Sequence, residues 1–419
     1  MPLLDLSPEE EFAITEESNH LINDTIASHD EYLAYGRTLP KGQWKRMKTK
    51  GTLTAFRTRR NFESLTPNLP QVKTNSSIFD RFRSSTLEVD TTSSEYSDPS
   101  SGSSGSSSWS SWSGTGSMSS VSESWSVLGS MNHLELSQMP MVVVTGIIPG
   151  TLEDAAYGNI ADNPAVWKLR STYTKDLHHR CKILATLRGP SKADPYRFLG
   201  VKWSLKKLPV FLSMRDMVYT ESAGVIRDEN GNITTGYNLM HSIELPGIPQ
   251  LARFGVQRFK ISCCFITRPY DDTSIELYCR AFAVSAGGLI QPLGKWIYAE
   301  ALLAGTNIME CTHMKKLMWL THHRRRHNIQ FTHQTAESAT HCQSCLRGLK
   351  LLGGFTRVAS TCQCCKRIVC GNCTSQHTVI VDLTESGGVT QKSLPFCAHC
   401  VEEARVLPAL DIAIATAPI

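Results

Sequence analysis

No stretch of this sequence approaches the ~20 consecutive apolar residues that a membrane-spanning helix requires, so any membrane contact is expected to be peripheral. The opening residues MPLLDLSPEE have neither the basic start nor the apolar core of a secretory signal. An oxidising compartment is therefore not expected, and the cytoplasm is. Positive charge is in only small excess, +5 over 419 residues, which does not suggest a nucleic-acid partner. Serine, histidine and aspartate abound, yet none sits in a G-x-S-x-G elbow or another nucleophile motif, so catalysis is not expected. What is present in quantity is apolar: 41% of the residues, enough for a substantial core in one or two domains.

Cysteine is the informative exception. Eight cysteines near the C-terminus form four C-x-x-C pairs: Cys342/Cys345, Cys362/Cys365, Cys370/Cys373 and Cys397/Cys400. Each pair offers two thiolates from one tight turn, and zinc takes four such ligands in a tetrahedron. Four pairs supply two complete sites, so two zinc ions are expected. Only 4 residues separate the second pair from the third, against 16 and 23 for the other gaps. Such neighbours close poorly on one ion, which favours pairs one and three on one zinc and two and four on the other. Cys364 is an alternative to Cys365, and His341, His377 and His399 are spare ligands. A disulfide framework, the competing reading, needs an oxidising compartment. With few aromatics the module has little core of its own, so Cys370→Ser is expected to unfold it and leave the rest folded. Its span carries six Lys/Arg against Asp382 and Glu385, with HHRRRH at 322–327 just upstream. That basic run reads as a solvated linker face, or as a weak contact for anionic membranes. The same choice applies to Leu349, Leu351, Leu352 and Phe355, which either pack the module or touch a bilayer.

Along the body, Ser7-Pro8-Glu9-Glu10 has the form of a capping box with proline at the first helical position, and helical spacing follows over 8–35. Residues 44–60 read as a hairpin about Thr49-Lys50-Gly51. Between 100 and 126, 16 of 27 residues are serine, too little apolar surface to offset ordering, so 84–130 is expected as a disordered insertion. A strand over 141–148 and helix starts at Thr151 and Asn163-Pro164 come next. Six strands are expected over 180–187, 197–205, 211–221, 235–245, 259–268 and 274–284, and a long helix over 290–322. In the last strand Ile275, Leu277, Cys279, Ala281 and Ala283 face one way. Three of those five are small, which leaves volume for a ligand unless side chains of the final helix fill it. With Trp296 of that helix, these are the candidate lining residues.

The expected fold is α+β, a curved antiparallel sheet gripping a long C-terminal helix. Three segments, Arg215-Asp216-Met217-Val218, His241-Ser242-Ile243-Glu244-Leu245-Pro246 and Ala286-Gly287-Gly288-Leu289-Ile290-Gln291-Pro292, resemble the START (StAR-related lipid transfer) family and stand in its order. The resemblance spans about 8–325 and implies a helix-grip fold that holds one lipid or sterol under the C-terminal helix, with no catalytic set. The run Cys362-Gln363-Cys364-Cys365-Lys366-Arg367-Ile368-Val369-Cys370-Gly371-Asn372-Cys373 resembles a FYVE-type finger, with a RING finger the nearest competitor. The basic and histidine positions by which FYVE fingers read phosphoinositides are replaced here by Val358-Ala359-Ser360-Thr361-Cys362-Gln363. The family's Trp-x-x-Asp is missing, and Pro395-Phe396 stand where an arginine precedes the seventh cysteine. The zinc scaffold is therefore expected without specific recognition of phosphatidylinositol 3-phosphate. The implied organisation is a START-like body over 1–83 and 131–325, the insertion at 84–130, a linker at 326–340, the finger at 341–405 and a tail at 406–419. Expected partners are a lipid or sterol, anionic membranes (endosomal or other) and proteins. The alternative function is a membrane-trafficking or scaffold adaptor using both domains for protein contacts.

Overall fold

The computed structural model describes residues 3–59, 141–176, 178–207, 214–284, 298–326, 340–349, 359–383 and 389–418. The serine-rich insertion lies outside these, as do Trp296, Leu351, Leu352, Phe355 and the side chain of Ala283.

Helix α1 spans Pro8–Ala34. The Ser7 hydroxyl accepts from the Glu10 N–H at 3.2 Å, and the Glu10 carboxylate accepts from the Ser7 N–H at 2.9 Å. That reciprocal pair satisfies two of the helix's orphan donors. Strands β1 (Trp44–Lys50) and β2 (Leu53–Thr58) form the expected hairpin, with Gly51 at φ 56 in the turn. Next come β3 (Val142–Pro149), α2 (Leu152–Asn159) and α3 (Pro164–Tyr173). Thr151 caps α2 through the Asp154 N–H, and Asn163 caps α3 through the N–H groups of Ala165 and Val166.

The strand train is β4 (Arg180–Arg188), β5 (Phe198–Lys206), β6 (Arg215–Arg227), β7 (Ile233–Ser242), β8 (Gln257–Arg258), β9 (Lys260–Asp271) and β10 (Ser274–Val284). All ten strands join one sheet in the order β1-β2-β3-β10-β9-β7-β6-β5-β4, with β8 paired parallel to β6 and the rest antiparallel. Strand β6 outruns its expected end at 221 because its ladder with β7 continues to Arg227 and the turn at Asn230-Gly231. Strand β7 stops at Ser242 rather than 245, where the chain leaves toward Pro246.

Alternation along the strands sorts the core into two faces. Val218, Leu239, Cys264 and Ile266 pack in clusters with α1 residues Ala13, Ile14 and Ile22. Their neighbours Met217, Tyr219 and Cys263 pack on the opposite face, with Trp167 of α3, Leu152 and Ala155 of α2, and the C-terminal helical segment. That segment is not one unbroken helix. Residues 298–303 are helical, a 3-10 turn covers Ala304–Asn307, and α4 runs over Ile308–Arg326, four residues past the expected end. Ala304-Gly305-Thr306-Asn307 holds three weak helix formers, and Gly305 sits where a Cβ would be 3.0 Å from Phe265 Cε1.

The C-terminal module comprises β11 (Ala359–Thr361), β12 (Ile368–Cys370), the hairpin β13 (Thr374–Leu383) and β14 (Val389–Cys397), and α5 (Ala398–Val406). The segment expected as a tail contains a further helix, α6 (Ala409–Thr416), whose Ala413 packs with Ala156 and Tyr196 of the body. The module also docks on the body. Met314, Leu317 and Leu320 of α4 share one buried cluster with Cys342, Cys362, Phe396, Cys400, Val401 and Ala404.

Candidate metal centres and ligand face

Two turns of the same design begin each set of cysteines. In the first, Cys342 N–H donates to Arg347 O and Leu346 N–H to Cys342 O, with Leu346 at φ 61. In the second, Cys362 N–H donates to Arg367 O and Lys366 N–H to Cys362 O, with Lys366 at φ 60. The left-handed residue after each pair turns both sulfurs to one side. The structure then brings Cys342, Cys345, Cys370 and Cys373 together, and separately Cys362, Cys365, Cys397 and Cys400, each set with its sulfurs within 4.8 Å of one another. This is the interleaved pairing of one with three and two with four. Cys364 is in neither set, and none of the three spare histidines joins them.

The sulfur geometry fits a tetrahedral metal. Cys345 and Cys370 Sγ are 3.8 Å apart, and Cys365 and Cys397 Sγ 3.7 Å. A tetrahedron with metal–sulfur bonds of ~2.3 Å has an edge of ~3.8 Å, whereas a disulfide requires ~2.05 Å. All 14 cysteines are unbonded to one another. Backbone donors also point at the sulfurs. Cys342 Sγ accepts from the N–H of Cys370 at 3.3 Å and of Ser344 at 3.4 Å, and Cys362 Sγ from the N–H of Cys397 at 3.2 Å. Burial would raise the Cys342 thiol, but N–H donors from Cys345, Cys370 and Ser344 bring it down to about 6. At that sulfur thiolate, the form a metal binds, is favoured, whereas burial and the neighbouring cysteines push Cys373 of the same set up to about 12.

Helix α4 reaches the second centre. Arg324 Nη1 lies 3.2 Å from Cys400 Sγ and 3.7 Å from Cys364 Sγ, while Nη2 donates to both Glu403 oxygens at 2.6 Å. Four thiolates on one divalent ion leave two excess negative charges, and a guanidinium beside them offsets part of that excess. The residue stands inside HHRRRH, which sequence reading took as a solvated linker face or a weak contact for anionic membranes. Its partner, Glu403, is 79 positions away, so no local signal identified it.

On the α2–α4 face of the sheet, Ile275, Leu277, Cys279 and Ala281 are buried as expected, at 2, 2, 0 and 0% exposure. They share their cluster with Tyr298, Ala299, Leu302 and Leu303. Side chains of the C-terminal helical segment thus pack against this face of β10.

A polar cluster on that face was not anticipated. Glu221 of β6 accepts from Arg170 Nη1 at 2.6 Å and Nη2 at 3.0 Å, and pairs with Lys202 Nζ at 3.0 Å. Burial works against the Glu221 carboxylate, but Arg170 and Lys202 outweigh it and hold it at about 2. Lys315 of α4 donates to the carbonyls of Tyr157, Ile160 and Gly158 at 2.7, 2.9 and 3.3 Å, which ties α4 to the C-terminal end of α2.

No family model matches this sequence, and no curated protein matches it. Among solved structures the chain is similar to the human StAR-related lipid transfer protein 5, at 14% identity and a TM-score of 0.38 over 70% of this chain and 97% of that one. It is similar to human STARD10 at 10% identity and a TM-score of 0.35, covering 72% and 84% of the two chains. For the human StarD13 (DLC2) lipid transfer and protein localization domain the values are 6%, 0.33, 68% and 95%. Among the described residues no helix is long and apolar enough to cross a membrane.

Proposed function

We propose that the chain binds one lipid or sterol between its large sheet and its C-terminal helical segment, as a START-like body, and that two zinc ions organise the cysteine module. The observation that carries the lipid reading is the arrangement of layers. A ten-stranded antiparallel sheet has α1 on one face and the C-terminal segment against the other, with β10 turning its apolar positions toward that segment. Ile275, Leu277, Cys279 and Ala281, together with Ala283 and Trp296, are the proposed lining. Sets of four thiolates at tetrahedral spacing suit zinc, with iron–sulfur chemistry the competitor. The module is FYVE-like in its cysteine pattern but lacks that family's basic reader, so no preference for phosphatidylinositol 3-phosphate over other lipids of equal charge is proposed. A reducing, cytoplasmic setting suits thiolate ligands.

Native mass spectrometry of gently purified full-length protein tests the ligand: a mass increment that organic extraction identifies as lipid is expected. Protein that is always lipid-free and extracts nothing from vesicles would sink this reading and favour the adaptor. Metal analysis of the same sample should give two zinc per chain.

A further inference from the structure

Residues 41–59 hold seven lysines and arginines and no aspartate or glutamate. This stretch builds the β1–β2 hairpin, and β1 is the outermost strand at its end of the sheet. The register sets Lys45 directly opposite Arg57. Directly opposed residues of an antiparallel pair share a face, and like charges there destabilise the sheet. Lys48 of this run is paired with Glu300. Among the described residues, Lys41, Lys45, Arg46, Lys50, Arg57 and Arg59 have no carboxylate partner, and Lys41, Lys45, Arg46 and Arg59 are exposed. One or two charges suffice to stop a sheet edge from pairing with another chain. Six unpaired cations, two of them face to face, go beyond that need and call for a negative partner.

We infer that the β1–β2 hairpin is the face by which the protein lies against an anionic phospholipid bilayer. A bilayer surface is flat and negatively charged, and each nearby lysine or arginine multiplies partitioning about fivefold, an effect that salt suppresses. An edge strand lying along such a plane needs no groove and no matched sequence of acceptors. Single-stranded nucleic acid would instead require exposed aromatic platforms for its bases, and the aromatics of this hairpin, Trp44 and Phe56, are half-buried. Sequence reading offered the cysteine module and the basic run upstream of it as one candidate for a weak anionic contact. Of those residues, Arg324 of α4 is engaged by Glu403 and Leu349 of the module is buried, so neither is available to a membrane. The inference does not depend on a lipid being bound inside the body.

The test is flotation of the full-length protein with phosphatidylcholine vesicles, with and without phosphatidylserine. Lys45→Glu converts the repulsive Lys45/Arg57 pair into an attractive one, so a folding defect cannot mimic lost binding. Reversing one cation should lower partitioning to phosphatidylserine vesicles about 25-fold, while Lys392→Glu, the same charge change at an exposed residue of β14, should leave it unaltered. The inference is overturned if Lys45→Glu floats like the parent, or if Lys392→Glu loses as much. It is equally overturned if the parent ignores phosphatidylserine but binds a single-stranded RNA.

Discussion

At the scale of single residues, buried cations dominate the energetics. Burial is the largest cause that lowers Lys315, to about 8, while a lysine in the unfolded chain keeps its proton to ~10.4. Below pH 8 the folded protein bears the full cost of that buried charge. Between pH 8 and 10 the unfolded chain binds the extra proton, so this residue makes stability rise with pH. Denaturant unfolding of wild type and Lys315→Met at steps across that range should show the wild type gaining on the variant by about 1 kcal/mol per pH unit. A constant difference would mean that Lys315 is solvated. Arg324 acts differently, since its guanidinium touches a sulfur and a carboxylate at once. Arg324→Met should weaken metal at the Cys362/Cys365/Cys397/Cys400 centre about 10- to 100-fold, the usual effect of losing an outer partner. The Cys342/Cys345/Cys370/Cys373 centre should be spared. Competition with a chromophoric chelator, read as two steps, resolves the centres. Arg324→Lys should rescue little, because an ammonium cannot fork between Cys400 and Glu403.

At the scale of elements, close approach between α2 and α4 is the sensitive contact. A Cβ on Gly158 would stand 2.4 Å from Thr312 Oγ1 and 2.8 Å from Ile308 O. Gly158→Ala should therefore cost about 1–3 kcal/mol by forcing the helices apart, measurable as a lower denaturant midpoint with an unchanged slope. The caps were legible because they are local: Ser7-Pro8-Glu9-Glu10, Thr151 with Asp154 and Asn163-Pro164 each satisfy donors two or three residues away. So were most strands, through alternation, and the pairing of the cysteine knuckles, through the short gap between two of them. The double role of α4 was not legible. Its sequence IMECTHMKKLMWLTHHRRR carries Lys315, Lys316 and Arg324, and in the structure Lys315 caps α2, Lys316 pairs with Asp154 at 2.5 Å, and Arg324 reaches the module. Long-range partners give a charged residue no periodic signature. The small residues of β10 are ambiguous for a related reason, because a gap and a closely packed helix call for the same short side chains.

At the scale of the whole molecule, α4 ties the cysteine module to the body's stability, so Cys370→Ser, expected to unfold the module and leave the rest folded, should also cost the body stability. Met314, Leu317 and Leu320 lie in the module's cluster, and burying three such side chains is worth roughly 4.5–9 kcal/mol at ~1.5–3 each. That is a large share of the ~5–15 kcal/mol that holds a domain together. Stripping the metal, itself worth ~10–16 kcal/mol to such a module, should lower the thermal midpoint of the full chain and speed amide exchange along 308–320. Unchanged exchange there would show the module to be autonomous. The long insertion has the opposite relation to the fold. It leaves after β2 and returns into β3, strands that are neighbours in the sheet, and the Thr58 N–H already donates to Met141 O at 3.0 Å. The sheet thus contains an ordinary hairpin whose loop has been opened like a splice port. A chain threaded through the port without contacts to the body would change neither register nor strand order, only the entropy of closure, which grows by ~0.6 kcal/mol per doubling of length. Replacing residues 60–140 with a loop of about five residues, roughly four doublings shorter, should leave the body folded and more stable by ~2.5 kcal/mol. The same port would accept an unrelated domain whose ends lie as close together as Thr58 and Met141 do.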